Sequence, residues 1–267
     1  MYDFIELIRE MADGALDGVS GGNIIAMSAV VGLLILVSLF ALGVSVYLAV
    51  HYVRYNKMQN SCGRTGEQIA RAILDSNGLE KIKVSKTGSI LFGNSYSHYF
   101  KKVRLRRLTW QKTSVASLAM AAQKSALAVL DKENEPDMRM RIRLTPFIYF
   151  GPIAFVPMVI IGVLLDVILS TGFCGIVLTV IGLCFYILSF VMSVLVLKTE
   201  KKAQERAYEI MREKGLATEE ELESCKKLFR LYNIEYVNDM IVALLELIYR
   251  ILQVVSYAQN SSSSSGK

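Results

Sequence analysis

A mostly α-helical membrane protein is the fold class this sequence predicts, with three to four transmembrane helices and a small α+β cytoplasmic domain inserted between the first and second spans. Three observations predict it. Apolar residues make up 53% of the 267, and they fall in long uncharged runs, the pattern of bilayer spans rather than of a soluble core. Charge is divided unevenly across the first of these runs. Between that run and the next, short alternating segments are interleaved with segments of helical period.

Residues 1–23 carry one basic side chain, Arg9, against five acids. Phe4, Ile5, Leu7, Ile8, Met11 and Ala15 follow helical spacing, which predicts a short amphipathic extracytoplasmic segment. The acidic start and the long apolar stretch behind it argue against a cleavable signal peptide. Residues 24–53 form the first span. Its length exceeds the ~20 residues a bilayer needs, so tilt or protrusion is expected. Tyr47, Tyr52 and Tyr55, with Arg54 and Lys57, mark its inner interface.

Residues 54–145 hold 18 Lys and Arg against 7 Asp and Glu. The basic side of a span stays in the cytoplasm, so this domain is cytoplasmic and the N-terminus outside. Thr65 and Gln68 have capping-box spacing for a helix through about Ser76, with Gly78 as its stop. Lys81–Lys86, Ile90–Phe92 and Lys101–Leu108 read as short strands. Gln111–Asp131, rich in Ala, Ser and Leu, reads as a closely packed helix. Charged residues 132–143 lead back to the membrane.

From Leu144 to Leu197 the only formal charge is Asp166. That is room for a hairpin of two spans, about 146–165 and 173–197, with Asp166 solvated at an outer turn. Residues 198–235 predict cytoplasmic helices: a charged one ended by Gly215, then one opened by Thr218 and Glu221. Residues 236–258 are apolar apart from a stripe of Asp239, Glu246 and Arg250. They predict either a fourth span facing that stripe into a bundle or a membrane-associated helix. The Ser-rich tail, 259–267, predicts disorder.

Several chemistries are poorly served. Four scattered cysteines without a CxxC pair argue against a disulfide framework or zinc ribbon and for free thiols acting as small hydrophobes. No phosphate-binding glycine loop is present. The basic run Lys101, Lys102, Arg104, Arg106 and Arg107 has no nucleic-acid module with it. Anionic lipid headgroups are the expected partner, and a solvated strand edge blunted by charge explains the run equally well.

Three stretches resemble a known family. They are Thr65–Leu79, the strand Lys102-Val103-Arg104-Leu105, and Glu219-Glu220-Glu221-Leu222-Glu223 with Leu216 before it and Tyr236-Val237 after it. In order, spacing and hydropathy, residues from about Tyr55 to Val255 resemble the membrane-bound neutral zinc metallopeptidases of bacteria, the YugP type. The resemblance implies an H-E-x-x-H helix, whose two histidines bind zinc while its glutamate activates water, and a third ligand, a glutamate just beyond the hairpin. Here Gln123 and Leu127 stand at the histidine positions and Lys124 at the base. Only Glu200 matches. The family's Asp-His pair before the second strand is replaced by Asn94 and Ser95, although Tyr96 matches.

The chain's two histidines, His51 and His98, cannot form an i,i+4 pair. Leu127 has no lone pair, and a lysine ammonium repels Zn²⁺. No zinc or other cofactor is therefore expected. If the fold is kept, Lys124 and Glu200 face the same vestigial site, and an ion pair between them, helped by Gln123, would replace the metal. The alternative is that Lys124 reaches water and Glu200 pairs with Lys198 or Lys201. The expected function is that of a catalytically inactive homologue in the bacterial plasma membrane, a scaffold or regulatory subunit with a protein partner or oligomer. A peptidase with a non-standard site and a transporter accessory subunit stay open.

Overall fold

The computed structural model describes residues 21–88, 93–147, 150–169 and 173–264. The N-terminal amphipathic segment through residue 20 and the strand expected at Ile90–Phe92 lie outside them. Eight α-helices and three strands follow one another among the described residues. They are α1 (Gly21–Lys57), α2 (Gly66–Ser76), β1 (Lys83–Thr87), β2 (Ser95–Ser97), β3 (Lys102–Arg106), α3 (Arg107–Gln111), α4 (Val115–Lys132), α5 (Pro136–Leu144), α6 (Phe150–Leu169), α7 (Cys174–Glu213) and α8 (Glu219–Ser264).

The chain divides into two compact units. The larger one comprises residues 40–148 and 191–240. Its centre is α4, in which every residue from Val115 to Leu130 is buried. Five alanines, at 116, 119, 121, 122 and 126, have no exposed surface. Their small side chains let other elements approach the helix backbone from all sides, as close-packed helices require. Ile69, Ile73 and Leu74 of α2 and Val103 and Leu105 of β3 complete this core. The sheet has the order β1-β3-β2, with β1 parallel and β2 antiparallel to the central strand.

Capping fixes the helix starts. Thr65 accepts from the Gln68 amide, and the Gln68 side chain accepts from the Thr65 amide. Thr218 and Glu221 repeat this at α8. The Glu221 carboxylate also takes the Ser61 N–H (2.5 Å) and Ser61 hydroxyl (2.7 Å), tying the loop after α1 to the start of α8. Gly66, at the first position of α2, lies under the Thr109 carbonyl; a Cβ there would come within 2.0 Å of that oxygen.

The smaller unit contains α6, the first part of α7 and the end of α8. Asp166, expected at an outer turn, is half-buried and caps α7: its two carboxylate oxygens each accept a backbone N–H at 2.7 Å, from Cys174 and Gly175. The orphan amides at a helix start make this placement favourable. Gly162 faces Gly175 so closely that a Cβ on the first would meet the Cα of the second at 2.7 Å. Arg250 donates to Gln253 and stands over the Tyr186 ring.

Among the described residues, two helices are long and apolar enough to cross a membrane, α1 over Ser28–Lys57 and α7. The apolar window of α1 has no buried residues.

Some boundaries differ from the sequence expectation. The strand expected through Leu108 stops at Arg106, because Thr109 turns into the core beside Tyr52 and the chain coils into α3. The helix expected from Gln111 starts at Val115, where Ser114 accepts from the Ser117 amide. Residues 219–264 form one continuous helix, with no break near residue 236. They contain no Gly or Pro, and a nucleated helix adds a hydrogen bond for each further residue fixed.

Two outcomes follow. Gly66→Ala should destabilise the protein by about 1–3 kcal/mol through overpacking, seen as a lowered thermal midpoint in detergent. Burial, with the nearby Glu221 charge, pushes the Cys225 thiol up to about 12. In the folded protein Cys225 should resist alkylation at pH 8 and react on denaturation, scored by mass spectrometry.

Candidate functional site

Four helical side chains and one carboxylate meet inside the larger unit. Gln123 and Lys124 lie in the middle of α4, Arg141 in the last turn of α5, and Thr199 and Glu200 on α7 just past its apolar stretch. Glu200 Oε2 accepts from Lys124 Nζ at 2.7 Å and from Gln123 Nε2 at 2.8 Å. Glu200 Oε1 accepts from the Arg141 guanidinium at 3.2 and 3.3 Å. The same guanidinium donates to the Thr199 hydroxyl at 2.6 Å, and that hydroxyl donates to the Leu195 carbonyl at 2.8 Å.

Burial gives these contacts their weight. The side chains of Glu200 and Lys124 are 3% and 7% exposed, and that of Arg141 20%. Burial alone would raise the Glu200 carboxyl, but Lys124 and then Arg141 outweigh it, and Glu200 ionises below its ordinary value of 4.5. Leu127, one turn beyond Gln123, is buried and apolar. Gln123 Oε1 is buried without a hydrogen-bond partner. Both oxygens of the only carboxylate here are thus held by cations, and no side chain in the cluster combines basicity with access to water.

Arg141 was not foreseen. It comes 59 residues before Glu200, in a run of alternating arginines where no spacing distinguishes it. A second polar cluster also escaped the sequence. Asp131, at the end of α4, accepts from the Tyr96 hydroxyl at 2.5 Å, and His98 Nδ1 lies 2.6 Å from the same oxygen. Asn94 accepts the Arg106 amide. His51 Nδ1 lies 3.0 Å from the Tyr47 carbonyl of its own helix. Among the described residues, no group of three or more His, Cys, Asp or Glu is placed to hold a metal ion.

The basic run divides. Lys101, Arg104 and Arg107 are exposed and Lys102 is half-buried. Arg106 is half-buried with its guanidinium 5.0 Å over the Tyr52 ring, so it takes part in the packing between β3 and α1.

Residues 30–255 match the family described as "Putative neutral zinc metallopeptidase", and the chain belongs to that family. It is 26% identical over 220 residues to the "Putative membrane protease YugP" of Bacillus subtilis (strain 168), covering 81% of this chain and 94% of that protein. No solved structure matches the chain.

Because the Glu200 pKa is depressed on folding, its ionisation stabilises the protein fully above about pH 4.5 and progressively less as pH falls through the lower folded value. Thermal midpoints should therefore fall steeply below that pH, and Glu200→Gln should flatten this limb. At neutral pH, Glu200→Gln or Lys124→Met should each cost about 3–5 kcal/mol, the consequence of removing one partner from a buried pair, measured by denaturant unfolding in detergent.

Proposed function

We propose that this chain is a non-hydrolytic member of its family, a membrane scaffold or regulatory subunit whose metal site has been replaced by an ion-pair cluster. The observation that carries the reading is Lys124 Nζ at 2.7 Å from Glu200 Oε2. By the family resemblance, Glu200 is the remaining zinc ligand and Lys124 stands where the water-activating glutamate belongs. An ammonium there is incompatible with a neighbouring Zn²⁺, and Leu127 and Gln123 do not supply the imidazoles that such a site uses. The donor set does not fit zinc.

Access supports the same reading. A metallopeptidase helix must present its catalytic face to a polypeptide. Here α4 is buried throughout Val115–Leu130, so this structure does not present Gln123 or Lys124 to a polypeptide. The buried cluster instead links α4, α5 and α7, the mechanical role a metal would otherwise have.

In this reading the protein sits in a bacterial plasma membrane with its N-terminus outside and residues 54–145 in the cytoplasm. Spans come from α1, α6 and the first part of α7, with residues 236–258 of α8 as a fourth. The positive-inside bias and the long uncharged runs support that topology. With the hydrolytic groups gone, the retained fold serves binding, to a second protein or to further copies of itself.

The test is elemental analysis of detergent-purified protein beside Glu200→Ala, with a casein hydrolysis assay on both. Zinc well below one ion per chain and no hydrolysis are expected. One zinc per chain, lost in Glu200→Ala together with hydrolysis, would overturn the proposal and restore a peptidase with an unusual ligand set.

A further inference from the structure

We infer that the outer face of the three-stranded sheet, together with the turn before β3, is a docking surface for the anionic phospholipid headgroups of the membrane that holds the protein. Strand register defines the face. Lys83 pairs with Lys102, which pairs with Ser97; Ser85 pairs with Arg104, which pairs with Ser95. Paired residues on neighbouring strands point to the same side, and alternation sends Val103 and Leu105 inward to full burial. The outer side is therefore two rows of cations and hydroxyls, Lys83-Lys102-Ser97 and Ser85-Arg104-Ser95, with no acid in either.

Cations and hydroxyls side by side are the donors that phosphate oxygens accept. Among the described residues, none of Lys83, Lys101, Lys102 and Arg104 is in an ion pair with a carboxylate. The turn adds apolar reach. Tyr99 is 55% and Phe100 68% exposed, and the Arg104 guanidinium stands 5.7 Å from the Phe100 ring centre. An exposed aromatic pair beside cations is the composition of a membrane interface, where a ring enters the headgroup layer and the charges stay at the phosphates.

Two anchors give the surface its direction. The Tyr99 hydroxyl donates to the Ile142 carbonyl at 2.9 Å, two residues before the apolar stretch opens at Leu144. At the other end of β3, Arg106 projects from the same sheet face and meets Tyr52 of α1, two residues before Arg54 closes the first apolar run. Both ends of a strand about 16 Å long are thus tied to places where the chain leaves the bilayer. On the membrane reading above, the strand lies along the membrane, with the face that carries Arg106 on the side of α1. This favours lipid over a nucleic acid, which would need the face turned to the cytosol.

The proposal rests on the membrane reading above and is independent of the loss of hydrolysis. The experiment is hydrogen–deuterium exchange on the full chain in nanodiscs of phosphatidylcholine alone, or of phosphatidylcholine with phosphatidylglycerol. Failure to enter nanodiscs would count against the membrane reading itself.

In anionic discs, amides of residues 95–104 should exchange on the order of tenfold more slowly than in neutral discs, since each cation near an anionic surface adds about a factor of five. The difference should vanish in 1 M salt, which shortens the screening length to about 3 Å. It should also vanish in Lys102→Glu/Arg104→Glu, with protection of α4 peptides showing that the variant is folded. If the variant unfolds, the salt response of the unaltered chain decides. Equal exchange in the two lipid compositions would overturn the proposal. So would equal protection in neutral discs on adding inorganic phosphate or an oligonucleotide.

Discussion

A carboxylate with almost no contact with water must be surrounded by donors, and Glu200 is the carboxylate around which this molecule is arranged. Its desolvation alone would cost several kcal/mol or force it to take up a proton. Lysine from α4 and arginine from α5 prevent that, each on a different oxygen. Two helices adjacent in sequence, α4 and α5, are thereby held to the distant α7 at one point. Thr199 carries the chain of donors on to the α7 backbone, so the arginine is oriented as well as paired.

Local signals were legible and distant ones were not. Thr65 with Gln68 and Thr218 with Glu221 announce helix starts through spacing within one turn, and the structure has both capping boxes. The small residues of α4 announce a closely packed helix. By contrast, the Arg141–Glu200 bond and the Tyr96–Asp131–His98 cluster join segments separated by 59 and by about 35 residues. A single sequence contains no period that couples such positions. The uninterrupted course of α8 was available in principle, since nothing between Glu219 and Ser264 breaks a helix. The change from charged to apolar composition near residue 236 suggested a boundary that the backbone does not observe.

Asp166 shows what composition leaves out when geometry is unknown. A lone acid between two apolar runs reads as a solvated turn residue. In the structure it folds back onto the first two amides of α7, and the Gly162–Gly175 approach brings the two helices close enough for it to do so. The charge serves the hairpin, and its value depends on two glycines that carry no signal of their own.

Lys124 has a consequence for the paths by which such a sequence can change. Replacing it alone by glutamate would place a second carboxylate beside Glu200 and leave Arg141 as their shared cation, while replacing Gln123 or Leu127 alone by histidine would put an imidazole beside an ammonium. Each step toward a metal-binding helix is therefore unfavourable unless the others have already occurred. The ion pair acts as a ratchet: in a buried core it makes any change at this helix depend on several simultaneous substitutions.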